Sequence, residues 1–188
     1  MAKLLPNDVE KAIKNAIFKK AREYGYSSRG RRDNGIFMDD LLDDPEVGLR
    51  LKEYLPTEKI RTYIKDGVLN AYTKQQTQLL LDSYSAEKIL GDTFNKISLF
   101  LIEKRNGINI FRDEDYKIYV LSQGTVTKWE TALRKALDKL ASCPKLSERQ
   151  IPAICLQLAT QNGDLTEADC DHINRALAAI NVSAYYCK

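Results

Sequence analysis

Apolar side chains recur every three or four residues along most of the chain, and that period predicts helices. Val9, Ala12, Ile13, Ala16, Ile17, Ala21 and Tyr24 form one stripe over residues 7–24, with Asn7 and Glu10 at capping-box spacing. Gly25 ends that helix, and residues 25–35, punctuated by Gly25, Gly30 and Gly35, read as an exposed loop. Asp44-Pro45 predicts the next start, with a helix running to about Leu55 before Pro56. Thr57 caps a third helix, whose face carries Ile60, Tyr63, Ile64, Val68 and Tyr72 and whose middle holds Gly67. Thr73 and Gln76 repeat the cap spacing. Ser85 opens a long stripe through Ile89, Leu90, Phe94, Ile97 and Leu101, closed by Asn106-Gly107. The alternative makes "ISLFLIEKR" a strand and Asn106-Gly107 a hairpin turn. The length of the stripe favours the helix.

The period changes in "INIFRDEDYKIYVLSQG", where two β-rich runs flank a polar turn and predict a hairpin. Thr127 and Glu130 then box a helix carrying Trp129, Ala132, Leu133, Ala136, Leu137 and Leu140, which Pro144 closes. Ser147 opens a helix with Ile151, Ile154, Cys155 and Leu158, "QNGD" at 161–164 turns the chain, and Thr166 with Asp169 opens a last helix carrying Cys170, Ile173, Leu177 and Ile180. The tail reads as short and irregular. The expectation is a mainly α fold: seven or eight helices in a bundle-like domain, with one antiparallel β-hairpin near residues 108–122. Residues 1–143 form the main domain, and residues 144–188 a helical hairpin packed on it.

Composition adds little to this. A chain of 188 residues, 44% of them hydrophobic and 29% charged, can bury its own core without metal or disulfide staples. No apolar run approaches the roughly 20 residues of a membrane-spanning helix, and the N-terminus lacks the apolar core of a signal peptide. The expected location is therefore cytoplasmic, with no membrane partner and with the four cysteines reduced.

Charge changes the picture more. The net charge is only +3. Residues 1–32 hold nine Lys/Arg against three Asp/Glu, whereas residues 33–46 hold six Asp/Glu and no Lys/Arg. Lys11, Lys14 and Arg22 fall opposite the first apolar stripe, and Phe18 falls with them. With Lys19, Lys20, Tyr24, Tyr26, Arg29, Arg31 and Arg32 they predict a surface for DNA or RNA: cations for phosphates, rings for unstacked bases. The bland alternative is a solvated basic face, with Phe18 packed under another element. A second functional class is a helical adaptor docking a protein partner through the same charged segments.

Asp39, Asp40, Asp43 and Asp44 read first as carboxylates opening the helix at Pro45. They read second as a competitor for the arginine loop. They lack the ligand spacing of a calcium loop. Asp115 and Lys117 form the acid-x-Lys half-motif of a metal-dependent nuclease, in which two carboxylates hold the metal and the lysine orients water; Asp113, or a carboxylate from residues 39–44, would have to supply the second carboxylate. Such a pair is common by chance, and a polar hairpin turn is the preferred explanation. Cys170 and His172 match no zinc spacing, and no nucleophile turn or phosphate loop is present. No catalytic residue, metal or cofactor is assigned.

Overall fold

The computed structural model describes residues 4–96, 98–143, 146, 151–160 and 166–187. It divides into two compact units, Met1–Gln76 and Thr77–Lys188. Ile97 as part of a helical stripe, Pro144 as a stop, Ser147 as a start and the turn at 161–164 lie outside the described residues.

The first unit is helical. α1 (Asn7–Tyr24) buries Val9, Ile13, Ile17 and Ala21 and ends where Gly25 takes a left-handed conformation. α2 is Arg31–Asp43, α3 is Gly48–Leu51 and α4 is Thr57–Thr62. A π-helical stretch, Tyr63–Leu69, follows. The helix continues through Gly67 without a break into the helix that starts at Asn70. Ile13, Ile17, Phe37, Leu41, Ile60 and Ile64 meet in one core.

Two expectations fail here. Residues 25–35 are not a loop: a 3₁₀ turn at Tyr26–Ser28 leads directly into α2. Phe37, Met38 and Leu41 give α2 a buried face, and that outweighs the cost of about 1 kcal/mol for Gly35 inside a helix. Asp39, Asp40 and Asp43 consequently lie in the last turns of α2 instead of opening the next helix, and the helix after Pro45 is only the single turn of α3.

The second unit corrects the fold class. It contains a five-stranded mixed sheet, so the chain is α/β and not a helical bundle with one hairpin. The strands are β1 (Phe100–Arg105), β2 (Ile108–Arg112), β3 (Ile118–Thr125), β4 (Ala153–Ala159) and β5 (Val182–Cys187), in the order β1-β2-β3-β4-β5. β1, β2 and β3 form an antiparallel meander, whereas β3, β4 and β5 are parallel. The crossovers carry α7 (Trp129–Ser142) and α8 (Glu167–Ala178). α5 (Asn70–Asp82) and α6 (Ala86–Phe94) precede the sheet.

Each misread segment has a physical cause. α6 stops at Asn95, which takes φ 53°, and Phe100, Leu101 and Ile102 beyond it belong to β1. Asn106 and Gly107 both take positive φ and form the β1–β2 turn, as the alternative reading required. β4 is buried on both faces, so it shows no polar alternation, and its short apolar run mimics a helical stripe. The C-terminal helical hairpin is therefore not formed. The predicted helix carrying Cys155 is β4, the predicted irregular tail is β5, and only α8 keeps its expected form, with the Thr166/Asp169 capping box closed.

One sheet face carries Val120, Ile154, Leu156 and Leu158 and packs with Ala132, Ala136, Ile173 and Leu177 of α7 and α8. The other carries Phe111, Tyr119, Leu121 and Cys155 and packs with Ile89 and Leu90 of α6. Among the described residues, no helix is long and apolar enough to cross a membrane.

Candidate functional site

Tyr24, Tyr26, Arg29, Arg31 and Arg32 lie where α1 leads into α2, whereas Lys11 and Lys14 lie in the first half of α1, and most of the rings are already used. Tyr24 stacks on Phe37 with centroids 4.6 Å apart, and the Arg29 guanidinium lies 4.4 Å from the Tyr24 centroid. The Tyr24 hydroxyl donates to the Asp33 carbonyl at 2.9 Å, and Arg29 Nε donates to the Tyr24 carbonyl at 2.7 Å. Tyr26 leans on Phe37 at 5.5 Å, and Phe18 meets Tyr72 edge-on at 5.3 Å. These rings hold the corner together and are packed against protein.

The cations divide into two groups. Lys14 pairs with Glu10, and Lys20 pairs with Asp44 at 2.7 Å and Glu46 at 3.8 Å. The Asp44 contact is the main reason the Lys20 ammonium is held above its usual range. Lys11, Lys19, Arg22, Arg31 and Arg32 are exposed and make no ion pair among the described residues. The acidic run has other partners: Asp39 pairs with Arg61 at 2.6 Å, and Asp44 with Lys20. Neither contact involves the arginines at residues 29–32.

The acid-x-Lys segment is a tight turn between β2 and β3. Asp113 is buried and its carboxylate is fully engaged. It accepts from the Lys117 amide at 2.9 Å, the Tyr119 hydroxyl at 2.9 Å and Lys96 Nζ at 3.0 Å. Burial alone would raise its pKa, but these donors outweigh burial and hold it below the usual carboxylate range. Asp115 is exposed, and the Lys117 ammonium lies over the Tyr119 ring. The structure does not bring Asp113, Asp115 and Lys117 together around a shared space. No group of three or more metal-ligating side chains occurs among the described residues.

Cys155 and Cys187 are buried and all four cysteines are free. Burial pushes the Cys155 thiol up to about 12, which keeps it protonated and unreactive. Cys170 is half-buried and His172 exposed on α8.

A second constellation escapes periodicity altogether. Gln123 and Gln157 face the α6 side of the sheet on paired positions of β3 and β4, with Gln123 Nε2 donating to Gln157 Oε1 at 3.1 Å. Gln157 is fully buried, and its Nε2 donates to the Leu81 carbonyl at 2.8 Å. Beside this pair, Asn109 of β2 is only 3% exposed. Its side-chain amide makes no hydrogen bond among the described residues. It borders a cavity of about 230 Å³ that Asp82, Glu87, Leu101, Lys104 and Gln123 also line.

The cavity depends on a β-bulge. The β1–β2 register shifts between Leu101 and Glu103. Leu101 therefore pairs with Phe111, and Lys104 with Asn109. Without the extra residue, side chains three apart would point to opposite faces. The bulge puts Leu101 and Lys104 on the cavity side, while Glu103 turns away to accept from Lys139 of α7 at 2.8 Å. The sequence signal for this site was a polar residue inside each apolar strand, Asn109 and Gln157, a pattern that strand periodicity alone treats as noise.

No family model, curated protein or solved structure matches the chain.

Proposed function

We propose that the protein binds nucleic acid through phosphate contacts at the α1–α2 corner, without catalysis by that surface. The observation that carries the reading is the division of the cations. Arg22 in the last turn of α1 and Arg31 and Arg32 in the first turn of α2 are exposed and, among the described residues, make no ion pair, although six acidic residues lie within residues 33–46. The corner is braced by the Tyr24, Arg29 and Asn34 hydrogen bonds. Arginines mounted on two helices joined by a braced corner lose less backbone freedom on meeting a phosphate backbone than arginines on a loose loop. Lys11 and Lys19 extend the positive face along α1. Because the rings are packed, base stacking contributes little, and binding depends on charge with weak sequence preference.

The test is a salt titration of binding to a generic duplex and a single strand. Arg22→Ala/Arg31→Ala/Arg32→Ala flattens the log K against log salt slope by about one unit per lost phosphate contact, with similar losses on unrelated sequences. Absence of binding by the unmutated protein at about 50 mM salt, where phosphate contacts are favoured, contradicts the reading.

A further inference from the structure

We propose that the cavity beside Asn109 is a binding site for a small zwitterion carrying an ammonium and a carboxylate, of the class of free α-amino acids. The inference concerns the second unit alone and does not rest on the nucleic-acid reading.

The Asn109 amide has no protein partner among the described residues, and water can reach it only from the cavity side, so a ligand that displaces that water can take up its hydrogen-bonding capacity. Asn109 is more than nine-tenths buried, borders open space, and is surrounded by a sheet that saturates its other buried polar groups. Its amide N–H groups supply donors on the strand side of the cavity. Lys104, directly opposite on β1, adds a positive charge on the same side because of the bulge. A carboxylate matches that pair. The opposing wall is anionic. Asp82 ends α5, where one of its oxygens accepts from Gln78, and Glu87 lies in the first turn of α6, where one of its oxygens accepts from Ser85. Each carboxylate keeps an oxygen for an ammonium. Leu101 contributes an apolar wall for a side chain. A purely anionic ligand would face Asp82 and Glu87, and a bare cation would face Lys104. A zwitterion satisfies both walls, and a cavity smaller than the roughly 300 Å³ at which drug-sized sites begin limits the ligand to a few heavy atoms.

The test uses the full chain and its assigned ¹H–¹⁵N spectrum. Each standard L-amino acid is titrated separately, with propionate and ethylamine as the two single-charge controls. The proposal expects at least one amino acid to shift the Asn109 side-chain amide signals saturably. It expects binding weaker by about tenfold or more for both controls, and a similar loss of amino-acid affinity in Lys104→Met and in Glu87→Gln. Both substituted residues are exposed, so folded spectra are expected from both variants. No saturable shift with any amino acid at about 10 mM, a concentration that reveals even millimolar affinity, overturns it. So does propionate or ethylamine binding as tightly as the best amino acid, or unchanged affinity in the two variants.

Discussion

Asp113 and Asn109 lie four residues apart, one just beyond β2 and one within it, and both are buried. Asp113 has three donors on its carboxylate and ties the β2–β3 turn to Lys96 and Tyr119. Asn109 has a polar amide and, among the described residues, no hydrogen-bond partner for it. Sequence reading attends to the first, because Asp113 could supply the second carboxylate beside the Asp115-x-Lys117 pair. The structure reverses that emphasis. A saturated buried charge holds a fold in place, whereas an unsaturated buried amide at a cavity is available to a ligand. What distinguishes them is the inventory of partners.

The largest expected effect comes from breaking the saturated side. Asp113→Ala leaves the Tyr119 hydroxyl and Lys117 amide without their acceptor, so a loss of about 2 kcal/mol or more is expected in denaturant unfolding. Part of the cost of a fully buried pair is absent because Lys96 can turn toward water. The pH dependence has a definite sign. The folded carboxyl titrates below its unfolded value of about 3.9, so its stabilisation is present above that value and disappears as pH falls through the folded one. Lys96 mirrors it: hydrogen bonding to Asp113 raises its ammonium, and that contribution is lost only as pH rises through the raised value. In Asp113→Ala the acid-side loss should be smaller than in the unmutated chain.

A much smaller effect sharpens the contrast within the same turn. Asp115 is exposed and has no resolved tie to the network, so Asp115→Ala should change unfolding free energy by no more than about 0.5 kcal/mol. A large loss there would mean that the turn is held by more than Asp113.

The same contrast explains what could be read in advance. α8 was legible because its stripe and its Thr166/Asp169 capping box agree; α1 was legible from its stripe and its Gly25 stop, although the Asn7/Glu10 box does not form, because Pro6 takes the N-cap position and no side chain caps the helix. The strands of the hairpin were legible because "INIF" and "KIYV", rich in β-branched and aromatic residues, flank a polar turn. β4 was not, because a parallel strand covered on both faces loses its alternation, and Ile154, Cys155 and Leu158 then fit a helix equally well. α2 was hidden by Gly30 and Gly35, although Phe37, Met38 and Leu41 already had helical spacing. Of the basic site, the positions of the cations were legible. Which of them are paired was not, because Lys20–Asp44 and Arg61–Asp39 bridge separate elements. The cavity was illegible for a further reason. It needs the β1 bulge to bring Lys104 opposite Asn109, and a bulge leaves no mark in a period-two pattern.

On this account the Asn109 amide serves a ligand and not the sheet, since it has no hydrogen-bond partner among the described residues. Thermal unfolding of Asn109→Leu tests this directly, because the substitution removes the amide while keeping its approximate volume. If the amide has no partner, Asn109→Leu melts at or above the temperature of the unmutated protein, since sites kept for binding trade stability for use. A fall of several degrees, the size expected when about 1 kcal/mol is lost from a domain of this class, would show that the Asn109 amide is a structural member of the sheet and would contradict the account.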